Sequence, residues 1–266
     1  MPAKSFFQSI LMSVFALALT ACVTTTNSPL EKKKDLSKAE TTYVQIAYAH
    51  LAQGNVQEAK RAVNRALEIN KNSAGALIGL GLVYSAEDEP KLAEKEFKSA
   101  IRYDDTEEAR YQYATFLYNQ GRYDASYKQM KTVTEDTNYK RRAQAFDILG
   151  LVTLRLERPS EASRHFNKAI TLNRQLASAY INLANAHVSL EDNVKAYDAY
   201  QGFAKLAKLN LAAHNAATLW MGVQLAHVNE DIDAEGSYSL QLKNLYPKSK
   251  EYQAYVEWRQ EQGASN

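Results

Sequence analysis

Residues 74–107 read AGALIGLGLVYSAEDEPKLAEKEFKSAIRYDDTE, an apolar helical pattern, a turn and a second helical pattern. In the first half Leu77, Leu80, Gly81 and Tyr84 fall at i, i+3, i+4 and i+7, one stripe on a helix of 3.6 residues per turn. In the second half Ala93, Phe97 and Ala100 repeat the same logic. Glu87-Asp88-Glu89-Pro90 interrupts the pattern, and Pro90 suits the first position of a new helix, where no amide donor is needed. Gly81 and Ala93 mark the expected crossing point, because small residues let two backbones approach while Phe97 fills the space beside them. A hairpin this short cannot bury both of its apolar faces alone, so the unit is expected to recur.

It recurs. With Ala74 as position 1, the small residues stand at positions 8 and 20: Ala47 and Ala59, Gly81 and Ala93, Ala114 and Ser126, Gly150 and Ala162, Ala184 and Ala196, Gly222 and Ala234. Position 24 is large each time: Val63, Phe97, Met130, Phe166, Tyr200 and Tyr238. Position 27 is Ala66, Ala100, Val133 and Ala169, then departs with Phe203 and Gln241. Gly54 and Gly121 stand at position 15, where a helix-ending left-handed residue is wanted.

On these residues the chain resembles the tetratricopeptide-repeat (TPR) family. The resemblance is best in the second and fourth units, while the family's proline at position 32 is absent from the first five. It implies an all-α fold: a right-handed superhelix of six hairpins over about 40–73, 74–106, 107–140, 143–176, 177–210 and 215–248. A capping helix and tail are expected over 249–266, carrying Tyr252, Tyr255, Val256 and Trp258.

The amino terminus carries Lys4 and then an apolar run from Ile10 to Leu19, too short for a comfortable membrane span and read as a secretory signal over 1–21. Leu19-Thr20-Ala21-Cys22 resembles the bacterial lipobox, and Cys22 is the one cysteine of the chain. The resemblance implies a covalent lipid on Cys22 and, with Val23 next, residence at the periplasmic face of the outer membrane. An ordinary signal with an incidental cysteine is the alternative. Residues 22–39, polar with Lys32-Lys33-Lys34, are expected to be a flexible linker.

Charge is balanced, 32 Lys plus Arg against 30 Asp plus Glu, which offers no footprint for nucleic acid and suits a monomer. No metal-ligand spacing, phosphate loop or nucleophile motif appears, so neither an enzyme nor a cofactor beyond the lipid is expected. The inner face of the first three units would present Val44, Tyr48, Leu51, Ile78, Leu82, Tyr111 and Tyr118, apolar enough to take the face of a partner helix; a neighbouring part of the same chain is the other possible cover. Asn182 and Asn185 in the fifth unit are weaker candidates for holding a peptide backbone.

The closing stretch, Leu219-Trp220-Met221-Gly222 and then Ser237-Tyr238-Ser239-Leu240 up to Tyr246-Pro247, is similar to the end of the type IV pilus biogenesis and stability lipoproteins (PilF/PilW). That resemblance implies an outer-membrane pilotin, which binds the pilus secretin subunit and promotes its localisation or multimerisation. A general TPR scaffold lipoprotein recruiting cell-wall enzymes or outer-membrane assembly factors is the alternative.

Overall fold

The computed structural model describes residues 29–264, so Cys22 and the signal sequence lie outside the described residues. Thirteen helices and no strand occur among them: α1 Pro29–Ala52, α2 Val56–Ile69, α3 Ala74–Ala86, α4 Pro90–Tyr103, α5 Glu107–Asn119, α6 Tyr123–Glu135, α7 Arg142–Arg155, α8 Pro159–Leu172, α9 Ala177–Val188, α10 Asn193–Lys208, α11 Ala216–Val228, α12 Ile232–Leu245 and α13 Lys250–Ala264. Successive helices pair into six hairpins, and each hairpin packs on the next. The first helices α1, α3, α5, α7 and α9 also touch one another in series, forming one wall of the array.

Local chemistry sets the ends of these helices. Ser73 and Thr106 accept the amides of Ala76 and Ala109 at the starts of α3 and α5, satisfying donors that have no intrahelical partner. Pro90 and Pro159 open α4 and α8 as the spacing predicts. Every hairpin turn contains a left-handed residue: Gly54 and Gly121, but also Asp88, Glu157, Glu191 and Glu230 at φ 57–59°. The following amide then reaches back to close the turn, as Glu89 does to the Tyr84 carbonyl at 2.8 Å. Glycine is therefore the low-strain choice at this turn and not its only solution.

Positions 8 and 24 trade volume. Where position 8 is glycine in the second and fourth hairpins, the partner is a fully buried phenylalanine; a Cβ built on Gly81 would stand 2.9 Å from the Phe97 ring, and one on Gly150 2.4 Å from Phe166. Where position 8 is alanine, the first and third hairpins use the slimmer Val63 and Met130, also fully buried. Tyr200 departs from this scheme. Its hydroxyl donates to the Thr218 carbonyl at 2.9 Å and lies against Gly222, so it fills space in the sixth hairpin as well as its own.

Two expectations are corrected. The segment 29–39 belongs to the long helix α1 and is not a flexible linker: Pro29 opens it, and the Leu-Glu-Lys-Lys-Lys run that follows is made of good helix formers. Residues 33–38 remain exposed, and burial begins near Ala39, close to the expected start of the first hairpin. In the sixth hairpin the left-handed residue, Glu230, comes eight positions after Gly222, one later than in the others. The capping helix α13 closes the array through Trp258, whose ring lies 5.8 Å from Trp220 and 4.7 Å from His227.

Candidate protein-binding surface

The helices α1, α3 and α5 bring Tyr48 and Ile78 to one cleft of about 490 Å³ on the inner face, floored by Ala74 and Gly75. The Tyr48 hydroxyl donates to the Gly75 carbonyl at 3.2 Å, which fixes the ring across the junction of the first two hairpins. Burial, assisted by the nearby Glu108 carboxylate, pushes its phenol well above the usual range, so Tyr48 presents a neutral ring. Ile78 is 2% exposed and supplies the apolar floor rather than a protruding anchor.

A polar group closes the far side. Glu108 accepts hydrogen bonds from the Tyr139 hydroxyl at 2.8 Å, from Gln112 at 2.7 Å and from Arg141 at 3.0 Å. The Arg141 guanidinium also lies 4.1 Å from the centre of the Tyr111 ring, a cation–π arrangement. Tyr111 is consequently only 6% exposed, beneath Arg141 and beside Tyr139. The surface is thus an apolar hollow beside a charged ridge, with Asp104 and Thr106 on its rim.

The other expected residues are distributed differently. Val44 and Leu82 are half-buried between neighbouring hairpins, Val44 packing against the Gly75 backbone and Leu82 in the cluster around Phe97. Leu51 is likewise half-buried and does not line the cleft. Tyr118 stands away from it, its ring 5.6 Å from Tyr123 and its hydroxyl 3.5 Å from the Arg155 side chain. Of the seven, Tyr48 and Ile78 share the cleft, and Tyr111 lies under the ridge beside it.

The ridge is not legible from helical periodicity, because Tyr139 and Arg141 come from the connection between hairpins. Residues 141–142 fall between the expected units 107–140 and 143–176. Further along the same wall, Asp147 is 6% exposed and accepts hydrogen bonds from Ser178 at 2.7 Å and Asn182 at 2.8 Å. Burial raises its carboxyl above the ordinary value, against the pull of those two bonds. Asn182 is therefore committed to an internal contact, while Asn185 is exposed.

Among the described residues no helix is long and apolar enough to cross a membrane, and no group of three or more His, Cys, Asp or Glu is arranged to hold a metal. The tetratricopeptide-repeat family model matches residues 31–73. The chain is similar to the type IV pilus assembly protein PilF of Pseudomonas aeruginosa, 37% identical over 251 residues, which span 93% of this chain and 97% of that one. It is also similar to an uncharacterized protein of Haemophilus influenzae, 24% identical over 56% of this chain and 81% of the other. The solved structure of Pseudomonas aeruginosa PilF superposes with a TM-score of 0.75 at 36% identity, covering 84% of this chain and 99% of that one. PilW, described as a type IV pilus biogenesis factor, superposes with a TM-score of 0.73 over 82% of this chain and 98% of its own, and at 18% identity shares the fold.

Proposed function

The chain belongs to the family of the type IV pilus assembly protein PilF, and from that premise we propose that it is a non-catalytic outer-membrane lipoprotein that serves type IV pilus biogenesis. The end-to-end similarity to a pilus assembly protein carries this reading. Acyl chains on Cys22 hold the chain at the periplasmic face, since more than one chain is needed for stable anchoring. The inner-face cleft at Tyr48 and Ile78 receives an apolar segment of the secretin subunit, and the Glu108–Arg141 ridge fixes its register. By masking that segment until subunits meet at the membrane, the protein promotes secretin localisation and multimerisation without bond chemistry.

Co-purification of the secretin subunit with the wild-type chain and with Tyr48→Asp, Arg141→Glu, two residues that line the cleft, tests it. Both positions are half-buried, so circular dichroism must first show an intact helical array. A folded double variant that retains the secretin would remove the cleft from the account. Cys22→Ser is expected to shift the protein from the membrane to the soluble periplasmic fraction; retention in the membrane would remove the lipid anchor.

A further inference from the structure

The repeat is most disturbed between the fifth and sixth hairpins. In the first four, the second helix ends in extended backbone at Asn70, Asp104, Asp136 and Asn173. Helix α10 instead runs for 16 residues and ends on Asn210 in the left-handed region at φ 57°. The Leu211 amide donates back to the Leu206 carbonyl at 2.9 Å, and Asn210 to Ala207 at 3.0 Å, which is a Schellman-type stop. All the other left-handed residues among those described lie in turns inside hairpins. Phe203 occupies the position where the earlier units, except for Val133, have alanine, and it packs edge-on against His214 at 5.1 Å. This wedge and the connection around Leu211–Asn215 open a cleft of about 800 Å³ between α10 and α12, larger than the one on the inner face.

The chemistry of that cleft is one-sided. Lys205 and Lys208 project from α10, Gln201 and Gln241 face it from the two helices, and no Asp or Glu lines it. Neither ammonium meets a carboxylate among the described residues, whereas Lys60, Lys98 and Lys195 pair with Glu87, Glu94 and Asp192 at 2.6–2.8 Å. In a chain whose charges nearly cancel, two unneutralised cations beside an acid-free hollow form a local positive site. His214 and Tyr238 contribute to its lining, and Leu245, 62% exposed, gives it an apolar edge. A departure from the local rules of a repeat is where function is expected.

We propose that the α10–α12 cleft binds an acidic peptide segment of a partner protein, with Lys205 and Lys208 receiving its carboxylates, Gln201 and Gln241 meeting its backbone and Leu245 an adjoining apolar side chain. Mixed cationic, amide and apolar walls fit a peptide better than a bare anion. The site lies three hairpins from the inner-face cleft and does not depend on the function read there.

The test is fluorescence anisotropy with the full chain and a labelled short peptide of alternating Glu and Leu, set against its Gln–Leu counterpart. The Glu peptide is expected to bind more tightly, to weaken with added salt, and to lose about tenfold in affinity with Lys205→Glu, Lys208→Glu. Ser237→Trp, which adds bulk at an exposed wall position without changing charge, should also block it. The control pair Lys71→Glu, Lys91→Glu makes the same change in net charge elsewhere and should leave binding intact. Equal loss in the control pair, equal binding of the Gln peptide, or full binding by both cleft variants would overturn the proposal. So would co-sedimentation with phosphatidylglycerol–phosphatidylethanolamine vesicles that requires the two lysines while the Glu peptide fails to bind.

Discussion

Substituting Gly150 by alanine should destabilise the array although alanine is the better helix former. The added Cβ would lie 2.4, 2.6 and 2.7 Å from three atoms of the Phe166 ring, well inside ordinary contact distance. Phe166 is fully buried and packs in the same cluster as Ala162, Leu183 and Ala184, so the ring has no empty space to enter. Overpacking of this kind costs about 1–3 kcal/mol, and the deep overlap places the site at the upper end. The gain in helix propensity returns about 1 kcal/mol. The expected net loss is about 2 kcal/mol, from the difference of those two effects.

Gly81→Ala meets Phe97 at 2.9 Å and should lose less. Gly236→Ala meets no atom within 4 Å in the middle of α12 and should gain about 0.5–1 kcal/mol. Urea unfolding followed by circular dichroism, compared by midpoint because repeat arrays need not unfold in one step, gives the order. Phe166→Leu added to Gly150→Ala should recover part of the loss as a favourable coupling. If Gly150→Ala is as stable as wild type, or Gly236→Ala is the more damaging of the two, the volume trade between positions 8 and 24 is wrong.

Two further predictions concern acid, and they have opposite signs. Burial would raise the Glu94 carboxyl, but hydrogen bonds from Arg122, Lys98 and Tyr113 overcome it and hold the group at about 2. Its contribution to stability is present above the ordinary carboxylate value and is lost as pH falls from 4.5 towards 2; the melting temperature of wild type should converge on that of Glu94→Gln over that window, and a constant gap would refute the linkage. Asp147, raised by burial, contributes most when protonated and loses that contribution as pH rises through its folded value. Asp147→Asn should therefore compare more favourably with wild type at neutral than at acidic pH, and thermal melts showing the same difference at both would contradict it.

The hairpins were legible because each rests on short-range features: a stripe of apolar residues, a small residue at the crossing, and proline at a helix start. Gly81 with Phe97 could be paired from spacing alone, since both lie in one hairpin. Contacts between hairpins were not legible. Glu94 reads as an i,i+4 partner of Lys98, yet it also accepts from Arg122 and Tyr113, 28 and 19 residues further on. The register that brings Tyr139 and Arg141 over Glu108 depends on how one hairpin sits on the next, which no helical period encodes. The same holds for Tyr200, whose size suggests a core position in its own hairpin but whose hydroxyl reaches the Thr218 carbonyl in the following one. The helical state of 29–39 has no apolar stripe to signal it, since lysine, leucine and glutamate favour helix without needing burial.

The proposed function is service to secretin assembly for type IV pili. Deleting the gene for this chain and fractionating the envelope, with detection of the detergent-resistant secretin multimer, is the decisive test. The multimer is expected to disappear or remain in the inner membrane, and wild type to restore it to the outer membrane. Normal multimer in the outer membrane of the deletion strain would contradict the proposal.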